Sequence, residues 1–379
     1  MARYVVASIA LAASLLVASA CSTNAIETPD SGSLDLDGFK LEVVVGGLDT
    51  PWSIAFAPDG RMLVAERNGA IRVVIDGQLQ DEPFAVIQDA VEIGEGGLMG
   101  MVLHPDFEQN HWIYVAFTHR QGNGYGVRVA RYRESSSGLS DKRVIIDGIE
   151  GGQIHNGTEL GFGPDGKLYV TTGEVGRKEL AHVMSSLNGK TLRLNDDGSV
   201  PDDNPFVGRP GIRPEIWTYG HRNAQGMDWQ PGSGLMFQAE HGPSSFDAPG
   251  GGDEINIVER GKDYGWPTIH HVMTREGMES PLLEYTPAIA PGSLAFSRGD
   301  RVPEIKNDIF VACLGGRGLL RVQLDGRTVT RAEKLFEDLG RCREVISGPD
   351  GYLYFTTSNK DGRGRPATDD DRIFRLVPN

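Results

Sequence analysis

The sequence predicts an all-β protein that folds as a six-bladed β-propeller, and three observations support this fold class. The 379 residues include 50 glycines and show no convincing long helix, which is typical of a protein rich in turns. A unit of an apolar strand, a Pro-Asp-Gly-like turn and a second apolar strand recurs six times. Each unit is too thin to bury its own faces, so such units are stable when they stack around a ring. A pair of β-sandwiches is the alternative architecture.

The turns locate the six repeats along the chain. The first, third and sixth contain Pro-Asp-Gly at Pro58, Pro164 and Pro349, and the second has Pro-Asp-Phe at Pro105. The fourth and fifth copies are weaker. The repeats cover residues 54–64, 101–115, 160–170, 227–232, 294–300 and 345–355. Each one predicts an antiparallel hairpin of two apolar strands.

Residues that lie equally far from a hairpin turn share the same end of the sheet. His155 lies nine residues before Pro164 and Glu174 lies ten residues after it, so the two should face each other at the open end of the third hairpin. Similar distances select Glu95 in the second repeat, Arg222, Glu240 and Gly242 in the fourth, and Arg341 and Arg343 in the sixth. On a ring of blades, all these residues converge on one face at the central channel.

The first 21 residues predict a targeting segment. Arg3 precedes an apolar run over 5–17, small residues follow at 18–20, and Cys21 comes next. This order resembles a bacterial lipoprotein signal, in which the cysteine becomes the lipidated N-terminus; an ordinary signal peptide is the alternative. The apolar run is too short to span a membrane as a mature helix.

Residues 22–38 are rich in Ser, Thr, Asp, Gly and Pro, so they predict a disordered tether between the lipid and the folded domain. Residues 39–379 then form the propeller. We therefore expect an exported, extracytoplasmic protein, anchored to the cell membrane by lipid on Cys21 or periplasmic. The even pair Cys313 and Cys342 is compatible with a disulfide and equally with two buried thiols.

The net charge of −15 argues against a nucleic-acid partner, because a phosphate backbone needs a basic surface. The sequence also contains no P-loop, Rossmann glycine pattern, Ser-His-Asp arrangement or Cys-His zinc spacing. Any anionic cofactor must therefore lie in a local cluster of basic residues.

His155 is the candidate general base, because histidine is neutral and basic near pH 7 and Glu174 is placed to fix its tautomer. A satisfied structural histidine is the alternative for this residue alone. Arg222 stays charged and can bind a carboxylate or a developing oxyanion. A salt bridge between blades is its alternative role.

Four ordered motifs lie between Trp217 and Trp266. They read GHRNAQG over 220–226, EHGP over 240–243, GGDEIN over 251–256 and YGWP over 264–267. In this order they resemble the pyrroloquinoline quinone (PQQ)-dependent soluble glucose and aldose sugar dehydrogenases. The resemblance covers most of residues 41–377 and is strongest over 153–267.

The resemblance implies a set of cofactor contacts. The base that takes the proton from a sugar's anomeric hydroxyl would be His155. Arg222 and Asn223 would contact PQQ, and Arg341 and Arg343 would bind its carboxylates. The carbonyls of Gly242 and Pro243 would hold a calcium ion, a role that suits backbone oxygens, with Glu240, Asp253 or Glu254 as supporting acids. Tyr264 would line the cofactor pocket or pack the blade.

Two positions depart from the family pattern. Gly315 stands where the family usually has a lysine, and Arg317 is the cation that could substitute. Glu95 stands where the better-known members have glutamine. An ionised glutamate beside a tricarboxylate would be repulsive by about 1 kcal/mol or more at short range, unless it is protonated or faces the calcium or the substrate.

The sequence therefore predicts an enzyme that oxidises an aldose to its lactone, with PQQ and calcium as cofactors and a separate electron acceptor. Its main rival is a non-catalytic, calcium-binding propeller lipoprotein that recognises a glycan or a protein, which Gly315 and Glu95 favour. A metal-dependent lactone or ester hydrolase is a weaker rival, because few acidic ligands converge on the channel.

Overall fold

The computed structural model describes Met1 and residues 38–136, 138–243 and 247–379. The predicted signal peptide, lipidation site and tether lie outside the described residues, apart from Met1 and Gly38. Among the described residues, we find no helix with the length and apolar character needed to cross a bilayer.

The propeller begins with β1 (Phe39–Val45), which belongs to the last blade. The first blade contains β2 (Pro51–Phe56), β3 (Met62–Glu66), β4 (Ala70–Ile75), β5 (Gln78–Leu79) and β6 (Ala85–Val86). The second contains β7 (Leu98–Leu103), β8 (Trp112–Gln121), β9 (Gly124–Ser135) and β10 (Gly138–Gly151). The third contains β11 (Gly157–Phe162), β12 (Leu168–Thr172), β13 (Lys190–Leu194) and β14 (Ile216–Tyr219).

The remaining blades follow in chain order. The fourth contains β15 (Ala224–Trp229), β16 (Met236–Glu240), β17 (Asp253–Val258) and β18 (Leu283–Tyr285). The fifth contains β19 (Pro291–Phe296), β20 (Ile309–Cys313), β21 (Leu319–Asp325) and β22 (Thr328–Leu335). The sixth contains β23 (Cys342–Ser347), β24 (Leu353–Thr357) and β25 (Ile373–Pro378), and β1 pairs with β25 as its outermost strand. The N-terminal strand therefore closes the ring, and the predicted six-bladed propeller is confirmed.

Helical structure in the described chain is limited to short segments in the connections. They are α1 (Phe107–Asn110) and three 3₁₀ turns at Lys178–His182, Pro303–Ile305 and Glu337–Leu339. The hydrophobic core is distributed between blades: Met99 and Tyr114 of the second blade pack in one cluster with Val170 and Leu192 of the third. This is the burial expected of thin sheets that stack on neighbours.

The first strand of each blade lies along the central channel, and the pairing in the hairpins places the candidate residues. In the third blade Gly157 pairs with Thr172, so His155 and Glu174 lie together beyond the open end of the hairpin. All six inner hairpins are antiparallel. The face of the propeller opposite the turns therefore collects residues from several blades.

Cys313 and Cys342 are both free thiols and both buried. Burial raises the pKa of Cys313 to about 12 and also raises the pKa of Cys342. Both side chains therefore act as apolar core residues, and of the two possibilities left open by the sequence the structure has the buried thiols.

Candidate functional site

A cavity of about 270 Å³ opens on the face of the propeller where the inner hairpins are open. Residues from all six blades and from the loops before and after their strands line it. They are Arg67, Gly94, Glu95, Ile154, His155, Gln225, His241, Ala290, Leu314, Arg341, Arg343, Asp361 and Arg363. Four of the predicted site residues are among them, namely Glu95, His155, Arg341 and Arg343.

His155 and Glu174 form a buried pair at this cavity. The Nδ1 atom of His155 lies 2.6 Å from Oε1 of Glu174, and the two residues are 4% and 1% exposed. The carboxylate accepts the proton on Nδ1, so Nε2 is the ring nitrogen that carries the lone pair. His155 has a φ of +54°, an uncommon conformation for a non-glycine residue that is often found at functional sites.

Glu95 links two other elements of the cavity. Its Oε2 atom accepts a hydrogen bond from the His155 backbone N–H at 3.1 Å, and its Oε1 atom pairs with Nη1 of Arg363 at 2.7 Å. Burial alone would raise the pKa of Glu95, but His241, the His155 N–H and Arg363 outweigh it and lower the pKa. Glu95 is therefore ionised, and its charge is offset by an arginine 268 residues later.

Arg341 and Arg343 share one carboxylate. Asp361 accepts from Nε of Arg341 at 2.8 Å and from Nη2 of Arg343 at 3.3 Å. The Arg343 guanidinium also lies 4.0 Å from the ring centroid of Trp52. Burial lowers the pKa of Arg343 to about 10, so this side chain remains a cation at neutral pH. Two arginines and one aspartate leave a net positive charge at this wall.

Some buried polar atoms of the cavity lining, and of residues that hydrogen-bond to the lining, have no hydrogen-bond partner among the described residues. They include Nε2 of His241, Nδ2 of Asn223 and Oε2 of Glu174. Burial lowers the pKa of His241 to about 4, so its ring is neutral. Asn223 is held by its Oδ1 atom, which accepts from Gly157 N at 3.0 Å. Unsatisfied buried groups of this kind are uncommon in folded proteins and indicate a missing ligand or water.

Arg222 lies outside the lining of the cavity. It is 1% exposed, its Nη2 atom lies 2.9 Å from Oδ2 of Asp247, and its guanidinium lies 5.3 Å from the ring centroid of Trp266. The Nη1 atom donates to the carbonyl of His241 at 3.3 Å. Arg222 therefore supports the segment that carries His241, while Asp247 offsets its charge.

The predicted calcium ligands are Glu240, the last residue of β16, and Gly242 and Pro243 in the loop that follows. Both carboxylate oxygens of Glu240 are engaged, one with Nδ1 of His221 at 2.8 Å and the other with the Arg222 N–H. The Gly242 N–H donates to Asp253 at 2.7 Å, and the Pro243 carbonyl accepts from Gly251 at 3.0 Å. A Cβ atom at Gly242 would lie 2.1 Å from the carbonyl oxygen of Gly252, so only glycine fits in this tight turn.

Two further positions from the sequence, Tyr264 and Arg317, lie away from the cavity lining. Tyr264 is buried, with its hydroxyl donating to the Ile257 carbonyl at 2.6 Å, so it packs the blade. Arg317 is exposed and does not replace the cation missing at Gly315 in the described lining. Leu314 reaches the cavity beside Gly315, and its carbonyl accepts from Arg341 at 3.0 Å.

Arg67, His241, Asp361 and Arg363 line the cavity and were not predicted as site residues. Arg67 lies nine residues after Pro58 and His241 lies ten after Pro231, so the same distance from the turn could have found both. Asp361 and Arg363 lie in the connection between β24 and β25. The number of residues from the hairpin turn does not predict positions in this connection.

Comparison with known proteins identifies the fold and its relatives. The model of the glucose/sorbosone dehydrogenase family matches residues 48–366. The chain is 34% identical to the aldose sugar dehydrogenase YliI of Escherichia coli over 344 residues, covering 85% of this chain and 91% of that protein.

Two solved structures show the same similarity. An oxidoreductase described as a glucose dehydrogenase, from Thermus thermophilus, is 44% identical with a TM-score of 0.84 and covers 90% of this chain and 100% of that one. The PQQ-bound aldose sugar dehydrogenase of Streptomyces coelicolor is 32% identical with a TM-score of 0.78, covering 90% and 98%.

Proposed function

Because the chain belongs to the glucose/sorbosone dehydrogenase family, we propose that it is an oxidoreductase that converts an aldose sugar to its lactone, with PQQ and calcium as cofactors. The observation that carries this proposal is the buried pair of His155 and Glu174 at a cavity rich in arginine. A base with a fixed tautomer beside a cationic pocket suits an alcohol oxidation that passes electrons to an anionic quinone.

The charges of the cavity fit a polycarboxylate. Four arginines line it, at positions 67, 341, 343 and 363, against the carboxylates of Glu95 and Asp361. The surplus of positive charge is local, in a chain whose net charge is −15. Guanidinium groups bind carboxylates through paired hydrogen bonds, and Arg341 and Arg343 are the residues placed to do so.

The proposed chemistry begins with the sugar's anomeric hydroxyl at His155. Nε2 takes the hydroxyl proton while Glu174 stabilises the imidazolium through Nδ1. When bound, PQQ supplies the quinone that accepts the hydride leaving the anomeric carbon, and the sugar is released as the lactone. The buried Nδ2 of Asn223 and Nε2 of His241 are positioned to bond the cofactor's polar atoms.

Calcium would be held by the carbonyls of Gly242 and Pro243, since hard cations take backbone oxygens in tight turns. Glu240 would act indirectly, because its oxygens already fix His221 and the Arg222 N–H. Arg222 would act through the same segment rather than through the quinone oxygen. Its ion pair with Asp247 supports a positioning role.

We also propose that Cys21 carries a lipid that holds the domain at the membrane outside the cytoplasm, with an external acceptor reoxidising the cofactor. The sequence pattern of residues 1–21 supports this proposal. Labelling with a radioactive fatty acid tests it, and a Cys21→Ser variant should lose both the label and membrane retention.

The central experiment adds PQQ and CaCl₂ to the purified chain after chelation and follows reduction of an artificial acceptor with several aldoses. We expect turnover, and PQQ absorbance that stays with the protein through desalting. The absence of both turnover and retained PQQ absorbance would overturn the proposed enzyme activity and favour the non-catalytic rival. If His155→Ala retains PQQ and keeps full turnover, the role of His155 as the base is wrong, and the proposed enzyme activity stands.

A further inference from the structure

One position of the repeat forms a ring in the middle of the central channel. Each inner strand contributes one residue to this ring, five positions before the first residue of its turn. In the fifth blade, whose turn lacks the proline, the equivalent turn position is used. In blade order they are Ser53, Gly100, Glu159, Gly226, Ser293 and Glu344. The inner strands contact one another in this order, and β23 contacts β2 to close the ring. Glu159 in the third blade and Glu344 in the sixth therefore lie on opposite sides of the channel.

The glycines of this ring allow neighbouring inner strands to approach closely. A Cβ atom at Gly100 would lie 2.5 Å from the Thr158 carbonyl oxygen, and one at Gly226 would lie 2.5 Å from Leu294 N. These glycines flank Glu159, and the serines flank Glu344. The inner hairpins also have a register shift at this level, for example between Gly157 and Leu160. The close approach of neighbouring backbones therefore fixes the composition of the ring.

The two glutamates are buried and have no cationic partner among the described residues. Glu159 is 8% exposed and Glu344 is 4% exposed, and neither forms an ion pair with a described residue. Oε2 of Glu344 has no hydrogen-bond partner among the described residues, and its Oε1 has only Ser293 Oγ at 3.4 Å. Within the part of the chain that the structure describes, Glu159 accepts one hydrogen bond, from Leu160 N at 3.2 Å.

The neighbouring charges are already paired with other residues. Arg343 is bound by Asp361 and by Ser358, and Asp228 is bound by Arg298 at 2.5 Å. Burial raises the pKa of Glu344 and Glu159, which shows how costly two bare carboxylates are here. A bound cation would offset the cost of burying these two charges, because it would neutralise the carboxylates of Glu159 and Glu344 together.

The ring faces a second cavity, of about 1130 Å³, on the turn side of the propeller. Ser53, Glu159, Ser293 and Glu344 all line it. Arg343, the residue before Glu344, lines the smaller cavity instead. The ring therefore separates the two cavities, and an ion could reach it from the turn side without passing the candidate active site.

We propose that the ring binds one divalent metal cation, calcium by its chemistry, between Glu159 and Glu344. Two carboxylates balance its charge, and the serine hydroxyls and water from the larger cavity complete an all-oxygen shell. The described residues hold no cluster of three or more acidic, histidine or cysteine ligands, so we expect a dissociation constant on the order of 10⁻⁴–10⁻³ M. This site is separate from the carbonyls of Gly242 and Pro243 and does not depend on the proposed function.

Calcium binding to the purified, chelator-treated full chain tests the proposal by calorimetry and by equilibrium dialysis with CaCl₂. The wild type should bind one more calcium ion per chain than Glu159→Gln/Glu344→Gln. Glu333→Gln is the matched control, because Glu333 is equally buried, at 8%, but is paired with Arg321. The control should keep the wild-type number of ions. If the wild type and the double variant bind the same number of calcium ions per chain, the proposed site is wrong.

A second measurement uses the wild type alone and covers the case in which the double variant does not fold. Crystals grown with MnCl₂ should show an anomalous peak between Glu159 and Glu344. No peak there would overturn the channel site, even with a peak beside Gly242 that supports the proposed function. A channel peak in a chain that retains no PQQ would support this inference and count against the proposed function.

Discussion

The two cavities on the channel differ in how their charges are balanced. In the smaller cavity each carboxylate has a partner: Glu95 pairs with Arg363, Asp361 with Arg341 and Arg343. In the ring that faces the larger cavity, Glu159 and Glu344 have no cationic partner among the described residues. The same six blades thus present a cationic cavity at the open end of the hairpins and an anionic ring in the middle of the channel.

This difference shows what the repeat does and does not determine. The distance from the turn sets the level at which a residue enters the channel, and this geometry is common to all blades. The chemistry at each level is set by single residues and by the loops that neutralise them. The arginines at the open end of the hairpins suit an anion, and the two glutamates of the ring suit the cation that we propose there.

The largest expected effect comes from removing His155, the proposed base at the open end. His155→Ala should lower kcat by about 10²–10⁴-fold, the contribution usual for a positioned proton acceptor. PQQ retention should change far less, because the arginines remain. Steady-state assays with aldose and an artificial acceptor, together with cofactor absorbance after desalting, measure the two quantities.

His104→Gln is the control for that variant, since His104 lies at the turn end of the second blade and binds Asn110 at 2.7 Å. Its kcat should stay within about twofold of the wild type, because His104 lies at the end of the blade opposite the cavity and does not line it. A His155→Ala enzyme as active as this control would show that the open end is not where the proton is removed.

Removing the most buried arginine of the smaller cavity should have the next largest effect. Arg343→Gln should weaken PQQ binding by about 10–100-fold, because hydrogen bonds to charged groups contribute about 1.5–3 kcal/mol. Fluorescence titration with PQQ in the presence of calcium measures this. Arg331→Gln, on an exposed outer strand, should bind as the wild type does. Equal affinities for the two variants would mean that Arg343 is a structural partner of Trp52 and Asp361 only.

The comparison also explains which parts of the molecule sequence reasoning could predict. His155 and Glu174 were predicted as a pair because the hairpin register follows directly from the distance to Pro164. Asp361 and Arg363 were not, because they lie in the long connection after β24, whose path depends on tertiary packing. For the same reason the sequence could not show that Asp247 neutralises Arg222, or that Arg317 points away from the cavity.

A smaller effect should come from Glu95, the position that departs from the family pattern. Glu95→Gln should tighten PQQ binding by about twofold to fivefold, because it removes a carboxylate worth up to about 1 kcal/mol of repulsion. Arg363→Gln should weaken binding by a similar factor, because Glu95 then loses its partner. The double variant should bind as tightly as Glu95→Gln alone, because Arg363 then has no carboxylate charge to offset, and the same titration measures all three.

Independent, additive effects of the two substitutions would contradict this account. They would show that Glu95 and Arg363 act on the cofactor separately, although they lie 2.7 Å apart. The smaller cavity would then not have the paired charges that distinguish it from the ring.

The smallest expected effect is on stability, and it tests the ring without any cofactor. Burial, assisted by the charge of Asp228, raises the pKa of Glu159 to about 8 from an ordinary 4.5. The folded chain therefore holds this proton more tightly than the unfolded chain. Its contribution to stability is complete below about pH 4.5 and is lost as the pH rises through about 8.

Between about pH 5.5 and 8.5, with chelator present, the wild type should lose about 1–3 °C more in Tm than Glu159→Gln, which cannot titrate. Excess calcium should abolish this extra loss, because the cation stabilises the carboxylate that appears. Glu95→Gln is the comparison at the other cavity: the pKa of Glu95 is lowered, so that carboxylate is ionised throughout this range. Its profile should run parallel to the wild type, since it leaves Glu159 unchanged. Calorimetric scans in matched buffers measure the Tm of the wild type and of both variants. A Glu159→Gln profile parallel to the wild type would show that the ring and the smaller cavity do not differ in the pH dependence that their carboxylates give to stability.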